Sequence, residues 1–391
     1  LAIAERGGEQ VLGRIAKLVA EIVGRHAARR TGAEAEARIL RHEAVGIVAK
    51  ALVVHALELD RVIGLAAIVG RVKAIGLAAG DVADQHDIPY RQDVENALAD
   101  CDLVVVSPEA ERHCDLALRA AEAGKHIVVD KPLSPSLTEC NDLVAAVAQH
   151  RVKCLVWNRN FLPALVEARD NLTKGAIGEL QAIHCDFYFS KDAGPPKGSL
   201  APDAPPISWI ERQLEAHADG SDGGVGTRPL GELQIEGIYP LAYISMLVDS
   251  PVKRVFAQTS SHFHQANVDN EVDDLATVSL EMANGCVGSL SLGRIGAAAH
   301  PDIGEIKLHL LGSEGSLVIS EARPEVAVYA RNQAPTEFKH QRIADENNYL
   351  LMQNFVEALD LDCEPILNAA AARDIAATVQ AALESAHSGK P

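Results

Sequence analysis

Between residues 60 and 153 the apolar residues come in short unbroken runs, whereas beyond Lys153 they alternate with polar ones. "RVIGLAAIVG" (61–70), "CDLVVVSP" (101–108) and "HIVVDKP" (126–132) are runs of the first kind, each bounded by Gly, Pro or charge. That is the pattern of strands buried on both faces. Helical spacing fills the gaps. "RVKAIGLAAGDVADQHD" follows the first run, and "ERHCDLALRAAEAGK" follows the second, with Leu116, Leu118, Ala120 and Ala121 on its expected inner face and Gly124-Lys125 as its stop. Ser136 and Glu139 have the spacing of a capping box and open a helix through "TECNDLVAAVAQH". Repeated strand–helix units predict a doubly wound parallel sheet whose ligand crevice lies at the carboxyl ends of the strands. Ser107, Pro108, Asp130 and Lys131 fall at such ends.

The alternating stretches are "LQAIHCDFYFS" (180–190), "VKRVFAQTSSHF" (252–263), "LATVSLEMANGCVGSLSLGRI" (275–295) and "IKLHLLGSEGSLVIS" (306–320). Asn284-Gly285 and Gly312–Gly315 are turns of the kind that join antiparallel strands. A Pro- and Gly-rich section, 194–231, interrupts them and predicts a long loop with short helices over a site. "AAARDIAATVQAALESA" predicts a closing helix. The fold class is therefore α/β, in two domains: residues 1–154 with a doubly wound parallel sheet, and residues 155–391 with an α+β arrangement around a large, mostly antiparallel open sheet. Within the first domain, residues 1–60 are atypical. Up to residue 88 the chain has no Pro, Phe, Trp, Tyr, Ser, Asn, Cys or Met, and "EQVLGRIAKLVAEIVGRHAARR" predicts an amphipathic helix.

The 391 residues exceed what one ordinary core uses, and Ala, Val, Leu and Ile supply the apolar content while aromatics are 4%. A net charge of -18 argues against nucleic acid or an anionic membrane as partner, since both reward a basic surface. Seven cysteines with no CxxC pair fit free thiols better than a disulfide framework or a structural zinc site. No secretory pattern or membrane-length apolar run is present, so a cytoplasmic protein is expected.

"DLVVVSP…HCDLALRAAEAGKHIVVDKPL" closely resembles the Gfo/Idh/MocA oxidoreductases, whose usual strand end Glu-Lys-Pro reads Asp130-Lys131-Pro132 here. The resemblance continues through Trp157-Asn158-Arg159, "KGAIGEL" (174–180), "PISWIERQ" (206–213), "GELQIEGIYPL" (231–241) and "LLGSEGSL" (310–317), covering roughly residues 60–391. It implies an N-terminal Rossmann domain for NAD or NADP, and a C-terminal domain that binds substrate and whose open sheet mediates a homo-oligomer, dimer or tetramer. It also implies hydride transfer to or from a hydroxyl carbon of a sugar, polyol or related polyhydroxylated small molecule.

Such chemistry needs a group that takes the hydroxyl proton as the hydride leaves. The resemblance points to Lys131 and Tyr239 as the catalytic pair. Tyr239 stands where the family most often has His, a Gly-x-Tyr variant that glucose-fructose oxidoreductase shares, and Ile235 stands where the family has Asp. A tyrosine would have to ionise about 3 pH units below its ordinary range to act as base near neutrality, a cost of about 4 kcal/mol. One cation about 4 Å away at an effective dielectric near 20 supplies roughly that much, and Lys131 is the expected source. Glu236, beside the vacant Asp position, either substitutes for it or caps a helix. A snorkelling Lys131 and a Tyr239 that only packs are the plainer alternatives.

On the cofactor side the resemblance implies Ser107, Pro108, His113, Asp130, Lys131 and Pro132. Gly70-Arg71 replaces the acidic ribose reader, and an arginine there suits a 2′-phosphate, a lean toward NADP, or is simply exposed. In "HEAVGIVAKALVVHALEL" the three positions of the Gly-x-Gly-x-x-Gly fingerprint read Ile47, Ala49 and Leu52. Either phosphate binding is lost, or the register lies elsewhere, or this stretch departs from the family's sequence. Asn158, Arg159, Trp209 and Tyr243 take substrate-lining positions, and no metal is expected, His262 and His264 reading as a solvated strand face. Two function classes stand: an NAD(P)-dependent oxidoreductase, and a catalytically inactive relative that binds ligand as a regulator. A glycosidase using transient oxidation is a third with no specific support.

Overall fold

The computed structural model describes residues 51–54, 65–69, 90–91, 94–99, 101–108, 110–189, 210, 213–214, 218, 229–295, 304–321, 325–331, 333–339 and 344–391. The helices expected over 9–30 and 71–87, with Gly70, Arg71 and Trp209, lie outside them. The chain forms two compact units. The first comprises Leu1–Trp157, Gly220–Val225 and Asn348–Arg373; the second comprises Asn158–Asp219, Gly226–Asn347 and Asp374–Pro391.

In the first unit, strands β1 (Ala51–Val54), β2 (Leu65–Val69), β3 (Tyr90–Arg91), β4 (Leu103–Val106), β5 (His126–Val129) and β6 (Cys154–Val156) pair in the order β3-β2-β1-β4-β5-β6. Every pairing is parallel. The strand order reverses at β1 and β4, and a doubly wound sheet binds ligands in the crevice at such a reversal. Helices α1 (Val94–Leu98), α2 (His113–Glu122) and α3 (Leu137–His150) belong to this unit, and α2 packs on α3 and β5. Cys114, Leu116, Ala117, Ala120 and Ala121 form the buried face of α2. Leu118, expected inside, is half-buried, and Ala117 takes the inner position because it is one turn from both Cys114 and Ala121. Gly124, at φ +72°, ends the helix where a side chain would be strained.

Leu52 lies within β1, paired between Ala67 and Val104, while Ile47 and Ala49, the other two fingerprint positions, lie outside the described residues.

In the second unit an eight-stranded sheet runs β14-β13-β12-β11-β7-β10-β9-β8. Its strands are β7 (Leu180–Phe189), β8 (Val252–Ser260), β9 (Leu275–Met282), β10 (Val287–Arg294), β11 (Gly304–Gly312), β12 (Gly315–Ser320), β13 (Glu325–Ala330) and β14 (Thr336–Lys339). All neighbours are antiparallel except β7 and β10, which run parallel. The alternation in the sequence becomes two faces. Ile183, Cys185, Phe187, Leu290, Leu292, Leu308 and Leu310 are buried, each large aliphatic or aromatic one worth about 1.5–3 kcal/mol. The opposite face carries His184, Asp186, Ser289, Ser291 and Thr277, which are exposed or half-buried. Helices α4 (Pro163–Thr173), α5 (Glu232–Glu236) and α6 (Ile238–Val248) pack on the sheet, and α7 (Gln265–Asp269) follows β8. Helices α8 (Ala344–Leu361) and α9 (Ala369–Ser388) complete the chain.

Candidate functional site

In the first unit the polar residues at the ends of β4 and β5 are fastened to one another. Ser107 Oγ donates to Asp130 Oδ2 at 3.1 Å, and Asp130 Oδ1 accepts the Lys131 backbone N–H at 2.7 Å. A carboxylate one methylene shorter than the family's Glu thus closes the gap between two strand ends. His113 is 1% exposed, and its ring nitrogens lie 2.6 Å from the Pro132 carbonyl and 3.0 Å from the Pro108 carbonyl. It ties the two loops together from below.

The next residues are held in the same way. Cys114 Sγ donates to the Leu133 carbonyl and Cys140 Sγ to the Ser134 carbonyl. The capping box forms in modified form: Ser136 Oγ accepts the Glu139 N–H at 3.4 Å, but the Glu139 carboxylate accepts from Ser134 Oγ at 2.7 Å, and Ser134 Oγ in turn accepts the Ser136 N–H. Ser134 is therefore inserted into the reciprocal arm. The Lys131–Pro132 peptide is cis, and Lys131 and Pro132 are half-buried. Their neighbours fix the backbone that carries the lysine ammonium.

In the second unit the cluster centres on Tyr239 at the start of α6. Tyr239 is 7% exposed and Ile235, on the preceding helix, 2%. The Tyr239 ring stacks on Phe187 with centroids 6.4 Å apart at 29°, and the Arg159 Cζ lies 4.2 Å from its centroid. That distance is well inside cation–π range. Burial works against the charge on Arg159, but Tyr239, Tyr243, Glu321 and Glu236 more than offset it, so the guanidinium is held above the ordinary arginine range. The cation beside Tyr239 within this unit is Arg159, a residue assigned by resemblance to the substrate pocket.

Asn158 and Tyr243 carry the same assignment, and both are deeply buried. Asn158 is fully buried; its Oδ1 accepts the Asn160 N–H at 3.0 Å and its carbonyl accepts from Asn347 Nδ2 at 3.0 Å. It builds the loop that presents Arg159. Tyr243 is also fully buried, one helical turn below Tyr239, and its hydroxyl has no hydrogen-bond partner among the described residues. Burial, and then Glu321, push its ionisation well above the ordinary tyrosine range.

Glu236, named beside the vacant Asp position, is the last residue of α5. Its carboxylate pairs at 3.4 Å with Arg294, which also pairs with Glu232 at 2.5 Å, all three being nearly inaccessible. Arg294 lies 5.7 Å over the Phe189 ring as well. Sequence reading missed Arg294, Glu232 and Glu321. For Arg294 a signal existed: Leu290, Leu292 and Arg294 share one face of β10, so a charge occupies an inward position. His262 and His264 lie beyond the end of β8, not on it. Asp274, fully buried, accepts the backbone N–H groups of His262, Phe263 and His264, bending the chain into a turn, and the His264 ring contacts the Arg294 carbonyl at 2.8 Å. Among the described residues no group of three or more His, Cys, Asp or Glu is placed to hold a metal ion.

Comparison with known proteins bears on both units. Residues 45–157 match the oxidoreductase family with the NAD-binding Rossmann fold, and residues 230–318 match the Gfo/Idh/MocA C-terminal domain. Levoglucosan dehydrogenase of Pseudarthrobacter phenanthrenivorans is 27% identical over 248 residues, 60% of either chain. Inositol 2-dehydrogenase of Rhizobium meliloti is 30% identical over 149 residues, which are 38% of this chain and only 42% of that enzyme. A solved structure of levoglucosan dehydrogenase with NADH and levoglucosan has the same fold, with a TM-score of 0.68 at 20% identity, over 86% of this chain and 97% of the other.

Proposed function

We propose, for a chain that belongs to the Gfo/Idh/MocA oxidoreductase family, that it is an NAD(P)-dependent dehydrogenase or reductase acting on a hydroxyl carbon of a sugar, polyol or related polyhydroxylated molecule. The observation that carries this reading is the end of β5: Asp130-Lys131-Pro132 fastened to Ser107 and Pro108 beside the reversal of strand order. The residues present fit the nicotinamide end of a dinucleotide, since Asp130 and His113 hold together the loops at the carboxyl ends of β4 and β5, where such a sheet binds its ligand. Ser107, Pro108, Lys131 and Pro132 would line it, and His113 would support them. When bound, the dinucleotide supplies the hydride acceptor or donor.

For the chain's own part, Tyr239 takes the hydroxyl proton during oxidation and returns it during reduction, while the Lys131 ammonium donates to the substrate oxygen. Asn158, Arg159, Trp209 and Tyr243 are the substrate-side residues, and Gly70-Arg71 supports a lean toward NADP. The polar open face of the eight-stranded sheet supports a homo-oligomer, dimer or tetramer. The seven cysteines, all free, support a cytoplasmic location, and among the described residues no helix is long and apolar enough to cross a membrane.

Calorimetric titration with NAD(H) and NADP(H), followed by a sugar and polyol panel, tests the proposal. Binding of one dinucleotide and turnover abolished in Lys131→Met and Tyr239→Phe is the expected result. No binding at millimolar concentration would sink the enzyme reading. Binding without turnover would favour a ligand-binding regulator, the reading that Ile235 and the absence of glycine at 47, 49 and 52 support.

A further inference from the structure

The residue four before Tyr239 is an isoleucine, 2% exposed, where the family resemblance expects a carboxylate. Electrostatics makes this departure intelligible. A histidine base becomes a cation when it accepts a proton, so a neighbouring carboxylate strengthens it. A tyrosine base has to be an anion before it accepts one. A carboxylate beside it would oppose that state, an apolar group is neutral toward it, and a cation favours it. Tyr239 has the second of these at residue 235 and the third over its ring.

The cation is placed by a rigid loop. Asn160 Nδ2 donates to the Ala242 carbonyl on α6, and the Phe161 N–H donates to Asn347 Oδ1, while Asn158 bonds to both Asn160 and Asn347. The loop 158–161 is thereby pinned to the helix that carries Tyr239. Arg159 projects from it with its Cζ 4.2 Å from the Tyr239 ring centroid. Phenolate charge spreads into the ring carbons, so a guanidinium over the ring acts on it as well as one at the oxygen. The other charged or titratable groups in the cluster are Tyr243 on α6, Glu232 and Glu236 on α5, Arg294 on β10, Cys185 on β7 and Glu321 after β12. Of the carboxylates, Glu232 and Glu236 are paired with Arg294.

The geometry points to Arg159 as a positioning residue for the acid–base step, its charge over the Tyr239 ring favouring the phenolate while Ile235 removes the negative charge that would oppose it. This rests on the reading of Tyr239 as acid–base and deepens it. Arginine and isoleucine here form one set with the tyrosine, and changing the set one member at a time reveals it.

The test is the phenolate absorbance of the full-length protein against pH, each form measured against its own Tyr239→Phe counterpart so that only Tyr239 contributes. Arg159→Met is expected to lower the phenolate fraction, at a pH below the wild-type midpoint, about tenfold or more, and Ile235→Asp to lower it in the same direction. Arg159→Lys keeps the charge and is expected to retain most of the wild-type curve; it also serves where Arg159→Met fails to fold. An unmoved curve in Arg159→Met, or a lysine variant that behaves like methionine, overturns the inference. The pH profile of turnover should shift alkaline in parallel. Shifted absorbance curves with no dinucleotide binding would leave Arg159's action on Tyr239 standing and remove the dehydrogenase reading instead.

Discussion

The loop that carries Lys131 is fastened by groups drawn from residues 107–140, whereas Tyr239 meets Phe187 and Arg159, and Arg159 in turn feels Glu236 and Glu321, all from strands and helices far apart in sequence. The first region is built from hydrogen bonds that are neutral or carry one charged partner, some to backbone and some between side chains. The second is built from buried charge. A local hydrogen-bond web makes one loop hard to move but can lose a member with limited damage. A buried ion cluster is cooperative, because removing one partner leaves another charge without compensation.

Four measurements sharpen or break that contrast. Arg294→Met should have the largest effect, about 3–5 kcal/mol lost in urea unfolding, because Glu232 and Glu236 stay buried without their cation. Adding Glu232→Gln and Glu236→Gln should recover much of it, and no recovery would mean that the loss is one of packing. His113→Ala should cost about 2 kcal/mol, by leaving the Pro108 and Pro132 carbonyls short of a donor. A cost as large as that for Arg294 would erase the distinction between the two regions.

Gly231→Ala should cost about 1–3 kcal/mol. A Cβ there would stand 1.9 Å from Asp273 Oδ1, and moving that carboxylate removes the acceptor of the Leu233 N–H at the start of α5. Combining it with Asp273→Ala should cost less than the two changes summed. The smallest effect is pH-dependent and belongs to the first unit. His126 accepts the Lys153 N–H on Nδ1, and burial, opposed by Asp102, holds its ionisation below the ordinary value of 6.5. The unfolded chain therefore takes that proton first. Its contribution is intact above the ordinary histidine range and declines as pH falls through that range toward the lower folded value. Urea midpoints across this interval should slope less steeply in His126→Gln, and an unchanged slope would rule His126 out as the source.

The same contrast explains how much could be read in advance. The three strands around Lys131, the Gly124 stop and the Ser136 cap were legible because each is signalled within a few residues. Strands β7 to β12 and their two hairpin turns were legible for the same reason, through alternation and through Asn284-Gly285 and Gly312–Gly315. What alternation does not carry is the partner of each strand, so the parallel pairing of β7 with β10 has no local sign. Nor does the return of residues 348–373 to the first unit, where Leu367 accepts the Val156 N–H. Tyr239 and Arg159 were both named from the family resemblance, but their mutual placement depends on a loop closing over 80 residues. The Arg294 cluster was overlooked because each charge looks like an ordinary surface residue until its strand face is known.

The position of β7 at the middle of the second sheet also has a consequence for synthesis. Its partners β10 and β11 begin about a hundred residues later, His184 meeting Ser289 on one side and His309 on the other. At translation rates of about 5–20 residues per second, the segment waits roughly 5–20 s after emerging before either neighbour exists. During that time "LQAIHCDFYF" presents two unpaired edges and an apolar face, the combination most prone to recruit another chain. Yield on expression should therefore respond to temperature and to chaperone supply more strongly than the stability of the finished sheet would suggest.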